Sequence, residues 1–147
     1  MKFTFGEIEV VALNRFNWES VLALSPAEDQ KGNIPDILFS IAQSKFENCV
    51  PFGIFEKGEV RGFIMFCIFQ NVAWVNRILI DKEHQNLGIG KIALKLILSH
   101  LRTRPDVREV RTSMASGNEI AIRLFSNAGF VSIGEEDEKE IVMRWRG

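Results

Sequence analysis

Residues Gln85-Asn86-Leu87-Gly88-Ile89-Gly90 join the end of an apolar strand to the start of a long helix. Residues 73–80 form an apolar run that predicts a strand ending at Asp81, and apolar residues recur at helical spacing from residue 89 to 103. Two glycines at such a junction let the backbone turn tightly and leave amide N–H groups uncovered. Those donors, together with the positive end of the helix dipole, favour a phosphate or pyrophosphate. The sequence therefore predicts a site for an anionic cofactor.

A glycine pair that opens a helix is also compatible with an ordinary cap or a close packing contact. The spacing does not match two common phosphate loops. A dinucleotide fingerprint needs a third glycine that is missing here, and a Walker loop needs Ser or Thr after its lysine, whereas Lys91 is followed by Ile92.

A second segment, residues 118–130, begins with Asn and ends in Gly129-Phe130. Asn118 is a good helix N-cap, and apolar residues follow it at helical spacing. Gly129 is suited to the position just after the helix, with Phe130 starting the next strand. Taken alone, this segment predicts an ordinary capped amphipathic helix.

In this order, about one strand apart, the two segments resemble the two signatures of the GNAT superfamily of acyl-CoA-dependent N-acetyltransferases. The first resembles the family's Gln/Arg-x-x-Gly-x-Gly/Ala pyrophosphate loop, and the second resembles its Asn-initiated helix ending in Gly-Phe. The resemblance implies acetyl-CoA as co-substrate and direct acetyl transfer to a primary amine through a ternary complex. It also implies a cofactor site made of a strand end, the loop and the second helix: Ile78, Leu79, Ile80, Gln85, Asn86, Leu87, Gly88, Ile89, Gly90, Lys91 and Asn118.

The resemblance leaves the catalytic acid unassigned. The closest family members place a Tyr at the position of Phe125, where it protonates the leaving thiolate. This chain contains no Tyr, and a phenyl ring has no proton to donate. Ser126 is one candidate replacement, an ordered water is a second, and unassisted departure of the thiolate is a third.

Across the whole chain, the layout is similar to the spermidine/spermine (diamine) acetyltransferase branch of this superfamily, for example at residues 17–24, 51–55 and 74–77. A polycationic acceptor needs carboxylate partners, because each buried ammonium must be compensated. Glu28, Asp29 and Asp36 are candidates for substrate binding near the first helices.

Two features leave the acceptor open. The acidic run at residues 135–138 is either part of an acceptor site or a solvated turn. Asn76 stands where the polyamine branch often has a carboxylate. A small-molecule amine, a protein N-terminus or lysine, and a non-catalytic acyl-CoA-binding role all remain open, and the missing Tyr favours the last.

Length and composition favour one catalytic domain over residues 1–147, with 46% hydrophobic and 25% charged residues. A net charge of −1 provides no global field that attracts nucleic acid or a membrane. Neither a signal peptide nor a bilayer-spanning run is recognisable. We therefore expect a cytoplasmic enzyme without nucleic-acid or membrane partners. A homodimer is compatible with a domain of this size, and the oligomeric state is left open.

Cys49 and Cys67 are too far apart in the sequence for a metal pair or a redox motif, so Cys67 is expected to be a small buried hydrophobe. His84 and His100 are also isolated, and no metal is expected.

The order of predicted elements indicates an α/β domain with a mixed central sheet flanked by helices, and the family resemblance implies a mostly antiparallel sheet. Helices are predicted over residues 17–24 (capped by Asn17), 34–46, 89–103 and 118–128. Strands are predicted over residues 7–13, 52–56, 60–70, 73–80, 108–113, 130–134 and 140–145.

Overall fold

The computed structural model describes residues 1–25, 36–137 and 139–147. Within this part the strands, in chain order, are β1 (Lys2–Phe5), β2 (Ile8–Ala12), β3 (Cys49–Glu56), β4 (Glu59–Phe69), β5 (Val72–Ile80), β6 (Glu109–Ala115), β7 (Phe130–Asp137) and β8 (Glu140–Trp145). They form one sheet in the spatial order β1-β2-β3-β4-β5-β6-β8-β7. Neighbouring strands are antiparallel except for β5 and β6, which are parallel. The predicted α/β class with a mixed, mostly antiparallel sheet is confirmed.

The described helices are α1 (Ile37–Phe46), α2 (Ile89–Thr103) and α3 (Glu119–Asn127), with short 3-10 helices at Trp18–Ala23 and Lys82–His84. The bounds predicted for α2 are confirmed. So is the N-cap of α3, because Asn118 Oδ1 accepts a hydrogen bond from Ala121 N at 3.2 Å. The first described turn of α1 is capped by Asp36 instead, whose carboxylate accepts from Leu38 N at 2.6 Å. Residues 34 and 35 of the predicted second helix lie outside the described residues.

The N-terminal region differs from the prediction in two ways. A single strand was expected over residues 7–13, whereas β1 and β2 form a hairpin around Gly6, whose φ is +58°. The side chain of Asn17 does not cap the helix that follows it. It accepts a hydrogen bond from Asn14 N and donates one to Ala12 O, so it closes the preceding turn.

The hairpin between β3 and β4 is confirmed, and its loop is the two residues Lys57 and Gly58. Both have positive φ, at 52° and 81°. This is the conformation that a type I′ turn requires, and its twist matches that of the flanking strands.

The two faces of the sheet carry separate apolar clusters. Helix α2 covers one face with side chains that are almost fully buried, and each of its buried Leu and Ile side chains contributes roughly 1.5–3 kcal/mol to stability. On the other face, the 3-10 helix at Trp18–Ala23 and α1 cover a smaller cluster built around Val21, Phe63 and Leu79. The buried residues of α2 are Ile89, Ala93, Leu94, Ile97, Leu98 and Leu101.

The expectation that Cys67 is an unpaired hydrophobe is wrong. In the register of β3 and β4, Cys49 lies directly opposite Cys67, and the two sulfur atoms form a disulfide. Sequence spacing misses this pair because an antiparallel hairpin brings together residues whose separation depends only on the strand lengths.

Among the described residues, no helix has both the length and the apolar character needed to cross a membrane.

Candidate active site

Strands β5 and β6 pair over a short distance and then separate. Their parallel register covers three residue pairs, from Val72 opposite Glu109 to Trp74 opposite Arg111. Beyond that point, two side chains complete the connection. Thr112 Oγ1 donates to Val75 O at 2.7 Å, and Asn76 Oδ1 accepts from Ser113 N at 3.0 Å.

A β-bulge lies where the strands separate. Between β4 and β5 the register moves from Met65 opposite Arg77 to Cys67 opposite Trp74, so β5 carries one extra residue. Such a bulge bends the strand and changes which face its side chains occupy, and bulges are common beside active sites. Here the bend leaves the β6-facing edge of β5 unpaired by β6 from the bulge to Ile80, whose carbonyl accepts from Gln85 Nε2 at 3.0 Å.

The loop after β5 ends at a helix N-terminus that no side chain caps. Asn86 and Gly88 have φ values of 65° and 81°, and Gly88 takes the N-cap position of α2 without a side-chain hydrogen bond. The first i to i−4 bond of α2 runs from Ile92 N to Gly88 O at 3.1 Å. The N–H groups before Ile92 therefore have no acceptor within the helix and are available to an anion.

Gly90 lies in the first turn of α2, where glycine lowers helix stability by about 0.5–1 kcal/mol relative to alanine. The protein itself does not require glycine at this position. A Cβ atom built on Gly90 would make ordinary contacts, the nearest at 3.5 Å from Ile80 Cγ1. The space beside Gly90 is thus left for a group that must approach the backbone closely.

A cavity of about 400 Å³ runs between this loop and the gap between β5 and β6. Its size is that of a typical small-molecule site. Most of the residues that the resemblance implicates in cofactor binding line it together: Ile78, Ile80, Gln85, Asn86, Gly88, Ile89, Gly90, Lys91 and Asn118.

Two of the implicated cofactor residues lie elsewhere. Leu79 points to the other face of the sheet, where it is buried in the smaller cluster. Leu87 is 65% exposed and does not line the cavity.

Phe125, at the position where the family often has a Tyr, lines the cavity and is 2% exposed, with its ring edge-on to Phe130 at 5.0 Å between centroids. Ser126 is exposed and is not part of the cavity wall. Glu28 and Asp29 lie outside the described residues, as does Glu138 of the acidic run.

Sequence reasoning missed much of the cavity wall. Six of the missed wall residues come from β6 and α3, and they face β5 only because β6 lies beside it in the sheet. No local sequence pattern predicts that β6 lies next to β5. The alternation of side chains along β6 indicates only which of its residues share a face. The missed wall residues are Asn76, His84, Thr112, Ser113, Met114, Ile120, Ala121 and Leu124.

Asp81 fixes the start of the loop. Its carboxylate accepts from Ser25 N at 3.0 Å and lies 3.4 Å from His84 Nδ1. Burial raises the pKa of Asp81, but the hydrogen bond from Ser25 and the neighbouring imidazole outweigh burial, so the pKa is lower than usual. Lys82 N also donates to Ser25 O at 2.7 Å, which ties the loop to the segment that precedes α1.

Arg77 lies beside the gap but on the face opposite the cavity. Its guanidinium donates to Gln43 of α1 and lies 5.7 Å from the ring centroid of Phe39. Its buried Nε has no hydrogen-bond partner among the described residues. Burial lowers the pKa of Arg77, and the nearby carboxylate of Glu47 opposes this shift.

The fold, and a cavity that reaches the uncapped N-terminus of a helix, are suited to an extended anionic cofactor. The profile of the Acetyltransferase (GNAT) family matches residues 15–130, and the chain belongs to that family. It is an N-acetyltransferase whose acetyl donor is acetyl-CoA.

The chain is similar to the spermine/spermidine N(1)-acetyltransferase of Bacillus subtilis (strain 168), with 28% identity over 141 residues, or 88% of this chain and 91% of that protein. Ribosomal-protein-S5-alanine acetyltransferase from Vibrio fischeri has the same fold, with a TM-score of 0.80 at 14% identity over 98% of this chain and 95% of that chain. A ribosomal L7/L12 α-N-protein acetyltransferase in complex with coenzyme A also has this fold, with a TM-score of 0.78 at 14% identity over 98% of this chain and 96% of that chain.

Proposed function

We propose that this enzyme moves the acetyl group of acetyl-CoA directly to a primary amine in a ternary complex, within the cavity between β5, β6 and α2. One observation carries the proposal: a single cavity joins the uncapped N-terminus of α2 to the gap between β5 and β6. One extended molecule could therefore place its pyrophosphate at the N-terminus of α2 and its thioester in the gap between β5 and β6.

The loop is proposed to hold the pyrophosphate through backbone donors. The amides of Ile89, Gly90 and Lys91 precede the first helical hydrogen bond, and the helix dipole adds a favourable field. Lys91 lines the same cavity and supplies a positive charge. Ile78 and Ile80 are proposed to pack against the pantetheine arm.

The reaction needs few protein groups. The amine loses a proton and forms a bond to the thioester carbon, the carbon–sulfur bond breaks, and the electron pair leaves on sulfur. Phe125 shapes the cavity without donating a proton. We propose that water rather than Ser126 protonates the thiolate, because Ser126 is exposed outside the cavity wall.

The acceptor is proposed to be a small amine, with polyamines as the first compounds to test. The similarity to the spermine/spermidine enzyme over most of both chains supports this choice. The fold shared with enzymes that act on ribosomal protein N-termini supports a peptide as the alternative. Arg77 favours the alternative, since a half-buried cation beside the gap would repel a polycation.

The test is release of free coenzyme A from acetyl-CoA in the presence of single acceptors. These are spermidine, spermine, a peptide that begins with alanine and a peptide with one internal lysine. Mass spectrometry identifies the acetylated nitrogen. Turnover with at least one amine is expected, and acetyl-CoA binding without turnover of any acceptor would favour a non-catalytic binding role. The cytoplasmic location and the homodimer remain predictions.

A further inference from the structure

Asn76 joins β5 to β6 through its side-chain oxygen, and this contact leaves the role of its side-chain nitrogen unexplained. It lies at the β-bulge of β5, its side chain is exposed, and it lines the cavity where β5 and β6 separate. The polyamine branch often has a carboxylate here, which suits a base. Asparagine cannot take up a proton, so its presence calls for another role.

The orientation of the Asn76 carboxamide is determined by its hydrogen bond. The partner is the backbone N–H of Ser113, a donor, so the atom that faces it at 3.0 Å must be the oxygen. The side-chain oxygen of Asn76 therefore accepts a hydrogen bond from β6. The Nδ2 group, with two N–H donors, lies on the other branch of the carboxamide and remains for a ligand.

The reacting end of acetyl-CoA should lie at this end of the cavity. The anion site at the N-terminus of α2 takes the phosphate end, and the cavity then follows β5 past Ile80 and Ile78 to Asn76. Much of the nearby wall is apolar, including Leu124 and Phe125. The hydroxyl of Thr112 already donates to Val75 O and is buried.

We infer that Asn76 Nδ2 donates a hydrogen bond to the thioester carbonyl oxygen and stabilises the negative charge that develops there as the amine attacks. The inference rests on the proposed acetyl transfer. In that step the nitrogen–carbon bond forms, the carbonyl oxygen gains charge, and the carbonyl then re-forms as the thiolate leaves. A donor held in place before the reaction stabilises this charge without reorganising. The hydrogen bond to Ser113 holds the amide in that orientation.

The test uses Asn76→Asp, which keeps an oxygen for Ser113 N but removes both N–H donors and adds a negative charge. Asn76→Ala removes the whole group. Both variants should lower kcat by about 100-fold or more, because that is the effect of losing one such donor. Their affinity for acetyl-CoA, measured by calorimetry, should stay within about 3-fold of the wild type. Asn127→Asp is the matched control, since Asn127 is exposed and outside the cavity, and it should leave kcat unchanged.

A second measurement does not depend on the acceptor. The infrared band of the thioester carbonyl in bound, isotope-labelled acetyl-CoA should lie at lower frequency in the wild type than in Asn76→Ala. If no amine is acetylated by the wild type, the proposed function fails, and the carbonyl band still decides the role of Asn76.

Three results would overturn the inference. A gain of activity in Asn76→Asp would mean that the position serves a base, and loss of acetyl-CoA binding would assign Asn76 to holding the strands. A kcat near that of the wild type in both variants, with an unchanged carbonyl band, would remove Asn76 from the chemistry.

Discussion

At the scale of single residues, His100 is a half-buried side chain whose packing opposes its protonation. The imidazole packs between Phe3 and Phe66, with ring centroids 4.8 Å and 6.1 Å away. Its buried Nε2 has no hydrogen-bond partner among the described residues. Burial, and after it the charge of Arg104, lower the pKa of His100, so folding favours the neutral ring.

This pKa shift predicts acid sensitivity. The unfolded chain binds a proton at His100 below about pH 6.5, and the folded chain resists it. Stability should therefore fall as the pH drops below 6.5 toward the lower folded pKa. His100→Phe keeps the aromatic packing and removes the titrating group. We expect a smaller difference between its free energies of unfolding at pH 7.5 and 5.5 than in the wild type, measured with urea. An equal difference would assign the acid sensitivity to other groups.

Phe125 offers a direct test of the missing acid. If protonation of the leaving thiolate limits the rate, Phe125→Tyr should raise kcat by about 10-fold or more, since general acids contribute at least that much. The new hydroxyl needs a partner because Phe125 is almost fully buried, so the melting temperature must be measured beside the kinetics. A folded variant without any gain in kcat would show that thiolate protonation is not limiting.

At the scale of elements, the loop before α2 can be tested with two glycines of equal φ. Gly88 in this loop and Gly58 in the β3–β4 turn both have a φ of +81°, and a Cβ on either would meet no atom within 4 Å. Valine should therefore cost similar strain at both sites, about 1–2 kcal/mol. Gly88→Val should also lose acetyl-CoA affinity by calorimetry, whereas Gly58→Val should keep it. Retained affinity in a folded Gly88→Val protein would mean that the pyrophosphate binds elsewhere.

The elements also show which features the sequence could predict. The bounds of α2 and the cap of α3 follow from periodicity and one asparagine, both of which are local signals. The disulfide and the β6 side of the cavity depend on which strands become neighbours and in what register. These are properties of the whole sheet, and no short window of residues encodes them. Strand β1 was missed because it is mostly exposed and lacks a buried alternation.

At the scale of the whole molecule, charge on the sheet face opposite the cavity bears on the choice of acceptor. Arg111 and Arg144 share the carboxylate of Glu109, with contacts of 2.9 Å and 3.2 Å. Arg77 makes no ion pair within 4.0 Å in the part of the chain that the structure describes. Positive charge therefore exceeds negative charge among these groups.

We expect Arg77→Met to lower the KM for spermidine with little change in kcat, because it removes repulsion between like charges. Stability should change little, since Arg77 is half-buried and lacks a close carboxylate partner among the described residues, and replacing such an ion by an apolar side chain is often neutral. Arg123→Met, at an exposed position of α3, changes the net charge equally and should leave the KM unchanged. If both variants changed the KM for spermidine equally, the effect would come from net charge alone. A raised KM in Arg77→Met would show that Arg77 helps to bind the acceptor.

The short contact between β5 and β6 divides the sheet into two mechanical units. Strands β1 to β5 carry α2, whereas β6 to β8 carry α3. Within the sheet, three parallel residue pairs and two side-chain bonds join the units. Beside the sheet, α2 also meets the smaller unit through a shared apolar cluster and the hydrogen bond from Arg102 to Gly147 O. Amide hydrogen exchange should therefore reveal two cooperative openings, with the smaller unit opening at lower free energy. A molecule in the cavity touches both units, so acetyl-CoA should slow exchange throughout the smaller unit, well beyond the amides in contact. The same free energy of opening on both sides of the β5–β6 contact would contradict this division.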